Sequence, residues 1–307
     1  MIEIFSKRPC VSSKTVSMVT ACFTAIRPHH VAKNLLLFIP LLVGHHYLDL
    51  ISVTNTMIGF FVFCLLASSA YIVNDLVDLE KDRQDSRKQQ RPFASGALPL
   101  RVGFILAPCL LIVALGISLY LPRNFLLSAL AYYSLTLLYS FLIKQKKWID
   151  VVLLAGLYSL RVFAGMTLVE NGFSLWLIIF VLFLFFSLVL LKRCAELYSA
   201  KAENKAFIEG RSYQLKDSSR LVFLGRSNAY LAIITFIFYI HSQKVLLLYK
   251  TPLLLWLVCP CLFIWLERLW NFSQRGTISN DPVIFIVTDS FSWIMVLIIT
   301  VIGLLAT

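Results

Sequence analysis

The chain reads as an all-α, polytopic membrane protein, a bundle of about nine transmembrane helices with its N-terminus cytoplasmic. Three observations predict this. Hydrophobic residues make up 59% of the 307 residues and charged residues 14%, against about a quarter charged in soluble domains, and the mean hydropathy is +0.81. Apolar stretches close to the roughly 20 residues that a helix needs to cross a bilayer recur along the whole length. The cations that flank them are one-sided: with the N-terminus inside, 24 of the 28 Lys and Arg residues fall in inside segments, Arg123, Lys244 and Lys250 fall outside, and Arg161 lies within a span. Cytoplasmic loops carry that bias.

The first span, about 34–50, follows a basic segment with Lys7, Arg8, Lys14, Arg27 and Lys33. Residues 1–20 lack the apolar core of a cleavable signal, so this span is expected to direct insertion itself. The second span, about 55–74, runs into a charged loop, 75–101, and is followed by spans at about 102–121, 124–143, 149–168 and 173–191. A second polar loop, 192–226, leads to spans at about 227–246 and 252–269, and a third, 270–284, precedes the last at about 285–305. All three long loops fall on the cytoplasmic side, which places any active site at that mouth of a single domain covering 1–307. The net charge of +12 is therefore gathered on one membrane face, suited to anionic headgroups and phosphorylated substrates. Nucleic acid is excluded as a partner, because the basic residues flank spans and no soluble domain presents them. The seven cysteines are scattered without CxxC spacing and read as packing residues, not as a disulfide framework or a zinc site.

Chemistry is concentrated in Asn74-Asp75-Leu76-Val77-Asp78-Leu79-Glu80-Lys81-Asp82-Arg83, directly after a nearly uncharged run. On a continuing helix at 100° per residue, Asn74, Asp75, Asp78, Asp82 and Asp85 share about a third of the circumference, so their oxygens are expected to converge. Crowded like charges cost stability unless a cation fills the site. Hard oxygen donors without Cys or His suit Mg²⁺, which commonly joins carboxylates to substrate phosphates. Downstream, Arg87-Lys88-Gln89-Gln90-Arg91-Pro92-Phe93-Ala94-Ser95-Gly96 is expected to break the helix at its Pro and Gly and fold back as a basic lid. Arg forks there suit phosphate oxygens.

The Asp-rich stretch resembles the first Mg²⁺-diphosphate motif of the UbiA superfamily of intramembrane prenyltransferases. Ile26-Arg27-Pro28-His29-His30-Val31-Ala32-Lys33-Asn34, Arg91-Pro92-Phe93-Ala94-Ser95-Gly96, and Tyr139-Ser140-Phe141-Leu142-Ile143-Lys144 with Asp150-Val151 resemble other segments of the same superfamily, so the likeness spans nearly the whole chain. One departure stands out. Aromatic prenyltransferases carry a second Asp-rich motif after the sixth helix, whereas this chain reads Lys192-Arg193-Cys194-Ala195-Glu196-Leu197, with one carboxylate. That run, with Gly210-Arg211-Ser212-Tyr213 and Asn280-Asp281-Pro282-Val283, is more similar to the decaprenyl-phosphate phosphoribosyltransferase branch.

The resemblance implies a membrane transferase, placed in a bacterial inner membrane, that moves 5-phosphoribose from phosphoribosyl diphosphate to polyprenyl phosphate with release of pyrophosphate. The alternatives are transfer of a polyprenyl group from its diphosphate to an aromatic acceptor and, from another class, transport of a phospholipid or polyprenyl phosphate. It also implies Mg²⁺ held by Asp78 and Asp82 with Asp75 and Asn74 completing the shell, and Lys81, Arg83, Arg91, Lys192, Arg193, Arg211 and Tyr213 holding phosphate groups. Glu196 is read as a second metal ligand, a partner for Lys192, or a contact to ribose hydroxyls. The isoprenoid tail is expected between apolar helices open to lipid. Outside these motifs, Arg161 needs a partner inside the bundle, as a phosphate contact or a structural pair. Asp150 reads as a helix cap or a guide for a substrate hydroxyl, Asp281 as a helix-entry residue, and Asp289 as interior-facing or interfacial.

Overall fold

The computed structural model describes residues 18–85, 88–170, 172–202, 212–276, 278 and 282–307. Helices carry the whole architecture. A short helix α1 (Met18–Ile26) turns at Arg27, whose φ of 55° is left-handed, into a 3₁₀ run (Pro28–Phe38) that passes into a short α-helical stretch (Ile39–Val43). Then come α2 (Leu50–Val77), α3 (Leu100–Ser118), α4 (Arg123–Leu138), which closes on a π-helical turn (Tyr139–Ile143), and α5 (Ile149–Met166). The second half holds α6 (Leu175–Ala202), α7 (Ser218–Ile240), α8 (Val258–Gln274) and α9 (Ser290–Ala306). Among the described residues seven helices, α2 to α8 with their adjoining end turns, are long and apolar enough to cross a membrane, and Val31–Val43 and α9 are shorter apolar helices. The chain is an integral membrane protein. The apolar helices follow the expected order with shifted bounds: the first, expected over 34–50, is Val31–Val43, the seventh, expected over 227–246, is Ser218–Ile240, and seven of the nine expected reach spanning length among the described residues.

The boundaries differ where charge was expected to end a helix. α6 runs on through Lys192, Arg193 and Glu196 to Ala202, and α7 already begins at Ser218. Much of the expected loop 192–226 is therefore helix. A charged side chain stops a span only where it lacks a partner, and Arg193 finds its partners on neighbouring helices.

Two close approaches fix the packing. A Cβ on Gly165 would lie 2.2 Å from the carbonyl oxygen of Leu37, and one on Gly225 would lie 2.0 Å from the ring of Trp270. Small residues let helices meet at backbone distance, where dispersion contacts and interhelical hydrogen bonds must do what the hydrophobic effect does in water. Trp270 is fully buried and donates from Nε1 to Ser187 Oγ at 3.1 Å. Ser69 Oγ on α2 donates to the Ala107 carbonyl on α3 at 2.8 Å. Helix ends are capped as their sequence dictates: Asp49 accepts from the amides of Ile51 and Ser52, both at 3.1 Å, and Asp289 from that of Ser292 at 2.9 Å. Asp289 is also held by Arg268 at 2.6 and 2.9 Å. Large apolar side chains such as Phe104, Ile112, Leu119 and Leu297 face outward.

The alternation of direction along the bundle brings the C-terminal ends of α2, α4 and α6 together with the N-terminal end of α5. Contacts among residues 75–82, 139–150, 193–196 and 212–217 define this shared mouth.

Candidate active site

The Asp-rich segment is built from a nearly continuous helix. α2 ends at Val77, Asp78 takes φ −88° and ψ 9°, and a second helical piece (Leu79–Gln84) follows. The amide of Asp78 still bonds the Asn74 carbonyl at 2.9 Å and that of Asp82 the Asp78 carbonyl at 2.8 Å. The carboxylates nevertheless divide. Asp75 and Asp82, both 2% exposed, share one nitrogen of Arg91, at 3.1 and 2.5 Å. Arg27 reaches the same Asp75 oxygen at 2.5 Å and covers the Tyr71 ring at 5.1 Å. Asp78 instead turns to Lys144, whose ammonium bonds both of its oxygens, one at 2.6 Å. Three carboxylates thus face three cations.

This corrects the expectation that all the acidic oxygens converge on one patch: the turn at Asp78 and the pull of Lys144 separate that carboxylate from the other two. Among the described residues, no group of three or more His, Cys, Asp or Glu side chains is gathered closely enough to hold a metal. The donor chemistry itself suits Mg²⁺. All the donors are hard oxygens, and Asp75 Oδ2 is buried without a hydrogen-bond partner, an orphan that a cation would satisfy. Asn74 is half-buried next to it, and Lys81 and Arg83 are exposed. Lys81 lines a cavity of about 220 Å³ with Val77, Asp78, Ser140, Phe141, Leu142, Lys144 and Gln145. As expected, Arg91 folds back over the acidic segment.

A second cluster lies across the mouth. Arg193 is 0% exposed and donates from Nε to Asp150 Oδ2 at 2.9 Å, from Nη1 to Glu196 Oε2 at 2.6 Å and from Nη2 to the Tyr139 hydroxyl at 3.4 Å. The other Asp150 oxygen accepts from the Tyr213 hydroxyl at 2.6 Å, and Tyr213 accepts from the Trp148 amide at 2.9 Å. Burial, and then the hydrogen bond to Asp150, push the Tyr213 phenol above its ordinary value, so it stays a neutral donor. Trp148 itself sits at φ 72°, a rare conformation for a bulky residue. Asp150 does not cap α5, because its oxygens go to residues 43 and 63 positions away. Glu196 pairs with Arg193, one helical turn before it on α6.

The segment 139–144 ties the two clusters together, with Tyr139 at Arg193 and Lys144 at Asp78. Lys192 is half-buried. Arg211, Asn280 and Asp281 lie outside the described residues. Four residues at this mouth were not among those singled out for binding: Arg27, Tyr139, Lys144 and Asp150. Each lies in a segment carrying the family resemblance, which was the available signal.

Arg161 is the exception to the rim location of charge. Its Nε donates to Asn34 Oδ1 at 3.0 Å, Nη1 to the Leu157 carbonyl at 2.8 Å and Nη2 to the Tyr132 hydroxyl at 2.7 Å. All three partners are neutral.

The UbiA prenyltransferase family model matches residues 36–295. An uncharacterized protein, y4nM of Sinorhizobium fredii, is 36% identical over 87% of this chain, which spans 52% of that protein's length. The nodulation protein NoeC of Azorhizobium caulinodans is 30% identical over 92% of this chain and 91% of its own. A decaprenyl-phosphate phosphoribosyltransferase of Mycolicibacterium smegmatis is 31% identical over 60% and 59%. Among solved structures, a UbiA homolog from Archaeoglobus fulgidus bound to GPP and Mg²⁺ superposes with a TM-score of 0.70 at 14% identity, over 93% of this chain and 99% of that one. A structure of digeranylgeranylglyceryl phosphate synthase superposes at 0.68 and 18% identity, over 95% and 99%. The extent of the family match, with an all-helical fold shared from end to end, shows that this chain belongs to the UbiA prenyltransferase family.

Proposed function

We propose that the chain transfers 5-phosphoribose from phosphoribosyl diphosphate to polyprenyl phosphate at the cytoplasmic mouth of the bundle, in a bacterial inner membrane. The observation that carries this reading is the second cluster. Its two carboxylates, Asp150 and Glu196, are both bonded to the fully buried Arg193, and Asp150 also accepts from Tyr213, which leaves little there to take a proton from an acceptor. A phosphate monoester needs no base: with a second pKa of about 6 it is already ionised at neutral pH. The relatives named as decaprenyl-phosphate phosphoribosyltransferases support the same substrates.

In the reaction the bond from ribose C1 to the diphosphate oxygen breaks, a bond from C1 to an oxygen of the lipid phosphate forms, and pyrophosphate leaves with the electron pair. Asp75 and Asp82, with Asn74, are the residues that would hold Mg²⁺, Asp78 joining them once Lys144 turns to phosphate, and the ion's chemistry is to neutralise charge on the departing pyrophosphate. Arg27, Arg91 and Lys144 are already gathered at the carboxylates and would turn to phosphate oxygens as the donor enters, with Lys81, Arg83, Lys192 and Arg211 around the rim. Arg193 and Tyr213 then act as positioning residues: both fix Asp150, and Arg193 aims Glu196 towards the donor's ribose. The isoprenoid tail lies against the apolar outer faces of the bundle.

Membranes carrying the chain, incubated with labelled phosphoribosyl diphosphate, Mg²⁺ and polyprenyl phosphate, are expected to form a lipid ribosyl-phosphate adduct visible by mass spectrometry. Absence of that adduct, together with prenylation of an aromatic acid supplied with polyprenyl diphosphate, overturns the reading in favour of aromatic prenyl transfer.

A further inference from the structure

The interior of the bundle holds a positive charge that the chemistry at the mouth does not use. Arg161 is 5% exposed, and among the described residues no carboxylate pairs with it. Its guanidinium stands between two rings, 4.6 Å from the centre of Tyr132 and 5.4 Å from that of Tyr158. Lys33 sends its ammonium to the same Tyr158 ring, at 5.8 Å. Two cations therefore flank one tyrosine. An intramembrane charge is costly and pairs with an opposite charge or with backbone carbonyls; Arg161 meets an amide oxygen, a backbone carbonyl and a phenol, none of them charged. Those account for three of its five N–H donors.

Position gives this charge a use. Arg161 lies 12 residues into α5 from Ile149, about 18 Å along the axis, and its long side chain bonds back to Leu157 one turn nearer the mouth. Asn34, which it also bonds, donates to Cys64 Sγ on α2 at 3.3 Å, 11 residues below Asp75 and so about 16 Å beneath the acidic cluster. Tyr132 is likewise two turns inside Tyr139. Between the levels, Arg27 stands over Tyr71, so cations and phenols continue from the mouth inward.

We propose that Arg161, with Lys33 and Asn34, forms an interior subsite for a phosphate monoester, separate from the site that holds the diphosphate. Under the transfer reaction, on which this naming of ligands rests, two substrates carry such a group: the acceptor lipid and the 5-phosphate of the donor. A monoester dianion supplies the counter-charge that Arg161 lacks among the described residues and takes the two remaining N–H donors of its guanidinium.

The test is binding without metal. Purified full-length protein in detergent with excess EDTA is titrated with a polyprenyl phosphate and, in a second arm, with ribose 5-phosphate. At least one is expected to bind, and Arg161→Met is expected to weaken that binding tenfold or more while Asp78→Asn leaves it within twofold. The arm that responds identifies which substrate occupies the subsite. Equal binding by the wild type and Arg161→Met, or no binding of either compound to folded wild type, overturns the proposal. Should Arg161→Met fail to give a monodisperse protein, Lys33→Met is read by the same criteria. If the transferase assay fails while monoester binding still depends on Arg161, the subsite stands and the reaction assignment falls.

Discussion

At the scale of single residues, the mouth is a set of ion pairs whose partners are far apart in sequence, and each pair makes a separate demand. Under the proposed function Asp78 and Asp82 act on the departing diphosphate, so Asp78→Asn or Asp82→Asn should cut turnover by on the order of 10²-fold, measured in membranes with the folded variant confirmed by size exclusion. Arg193 is different. Removing one partner from a buried pair strands the other charge, at about 3–5 kcal/mol, so Asp150→Asn should lower thermal stability markedly, with the double variant Asp150→Asn/Arg193→Met recovering part of the loss. Tyr213 adds a pH dependence. Its folded-state pKa is raised by burial and by Asp150, so the stability from that bond is complete below the ordinary tyrosine value of about 10 and is lost as pH rises beyond it. Tyr213→Phe should remove that alkaline loss. The acidic run and Arg91 could be read from their spacing. Asp150 could not be assigned that way, because a carboxylate in the first turn of a helix looks like a cap whichever distant cation it serves.

At the scale of elements, the apolar runs were legible wherever lipid or packing requires roughly 20 apolar residues, and illegible where a charge is answered by tertiary structure. Lys192, Arg193 and Glu196 mark an end to α6 in the sequence, yet the helix continues to Ala202 because Asp150 and Tyr139 meet Arg193 inside the bundle. The convergence expected of the Asp-rich segment failed for a similar reason: one turn at Asp78, with Lys144 contributed from the end of α4, redirects a carboxylate that helical spacing alone aims at its neighbours. Helix contacts give a further prediction. Gly165 and Gly225 face a backbone carbonyl and an indole at distances no Cβ tolerates, whereas Gly116 meets nothing within 4 Å. Gly165→Ala and Gly225→Ala should each cost about 1–3 kcal/mol or more from overpacking, while Gly116→Ala should be neutral or mildly stabilising because alanine is the better helix former. Melting temperatures of the three purified variants in one detergent check this, and equal values would mean that the helices can separate without cost.

At the scale of the whole molecule, the distribution of charge and the position of the mouth are one statement made twice. The ends of α2, α4 and α6 that gather the carboxylates also carry Arg91, Lys144, Lys147 and Arg193, whereas among the described residues the opposite ends carry Arg123, Lys244 and Lys250. Under the proposed orientation and substrates, a cytoplasmic phosphorylated donor would meet that positive face first, and a lipid acceptor would reach the same mouth from the bilayer without crossing it. Orientation is therefore a functional claim. Lys216 and Lys250 are both exposed and lie on opposite sides under the positive-inside rule. In a cysteine-depleted background, Lys250→Cys is expected to react with a membrane-impermeant thiol reagent in intact cells, and Lys216→Cys only in inside-out vesicles. The reverse pattern would put the acidic mouth outside, away from cytoplasmic phosphoribosyl diphosphate. The proposed donor would then be untenable even if every side-chain contact at the mouth were retained.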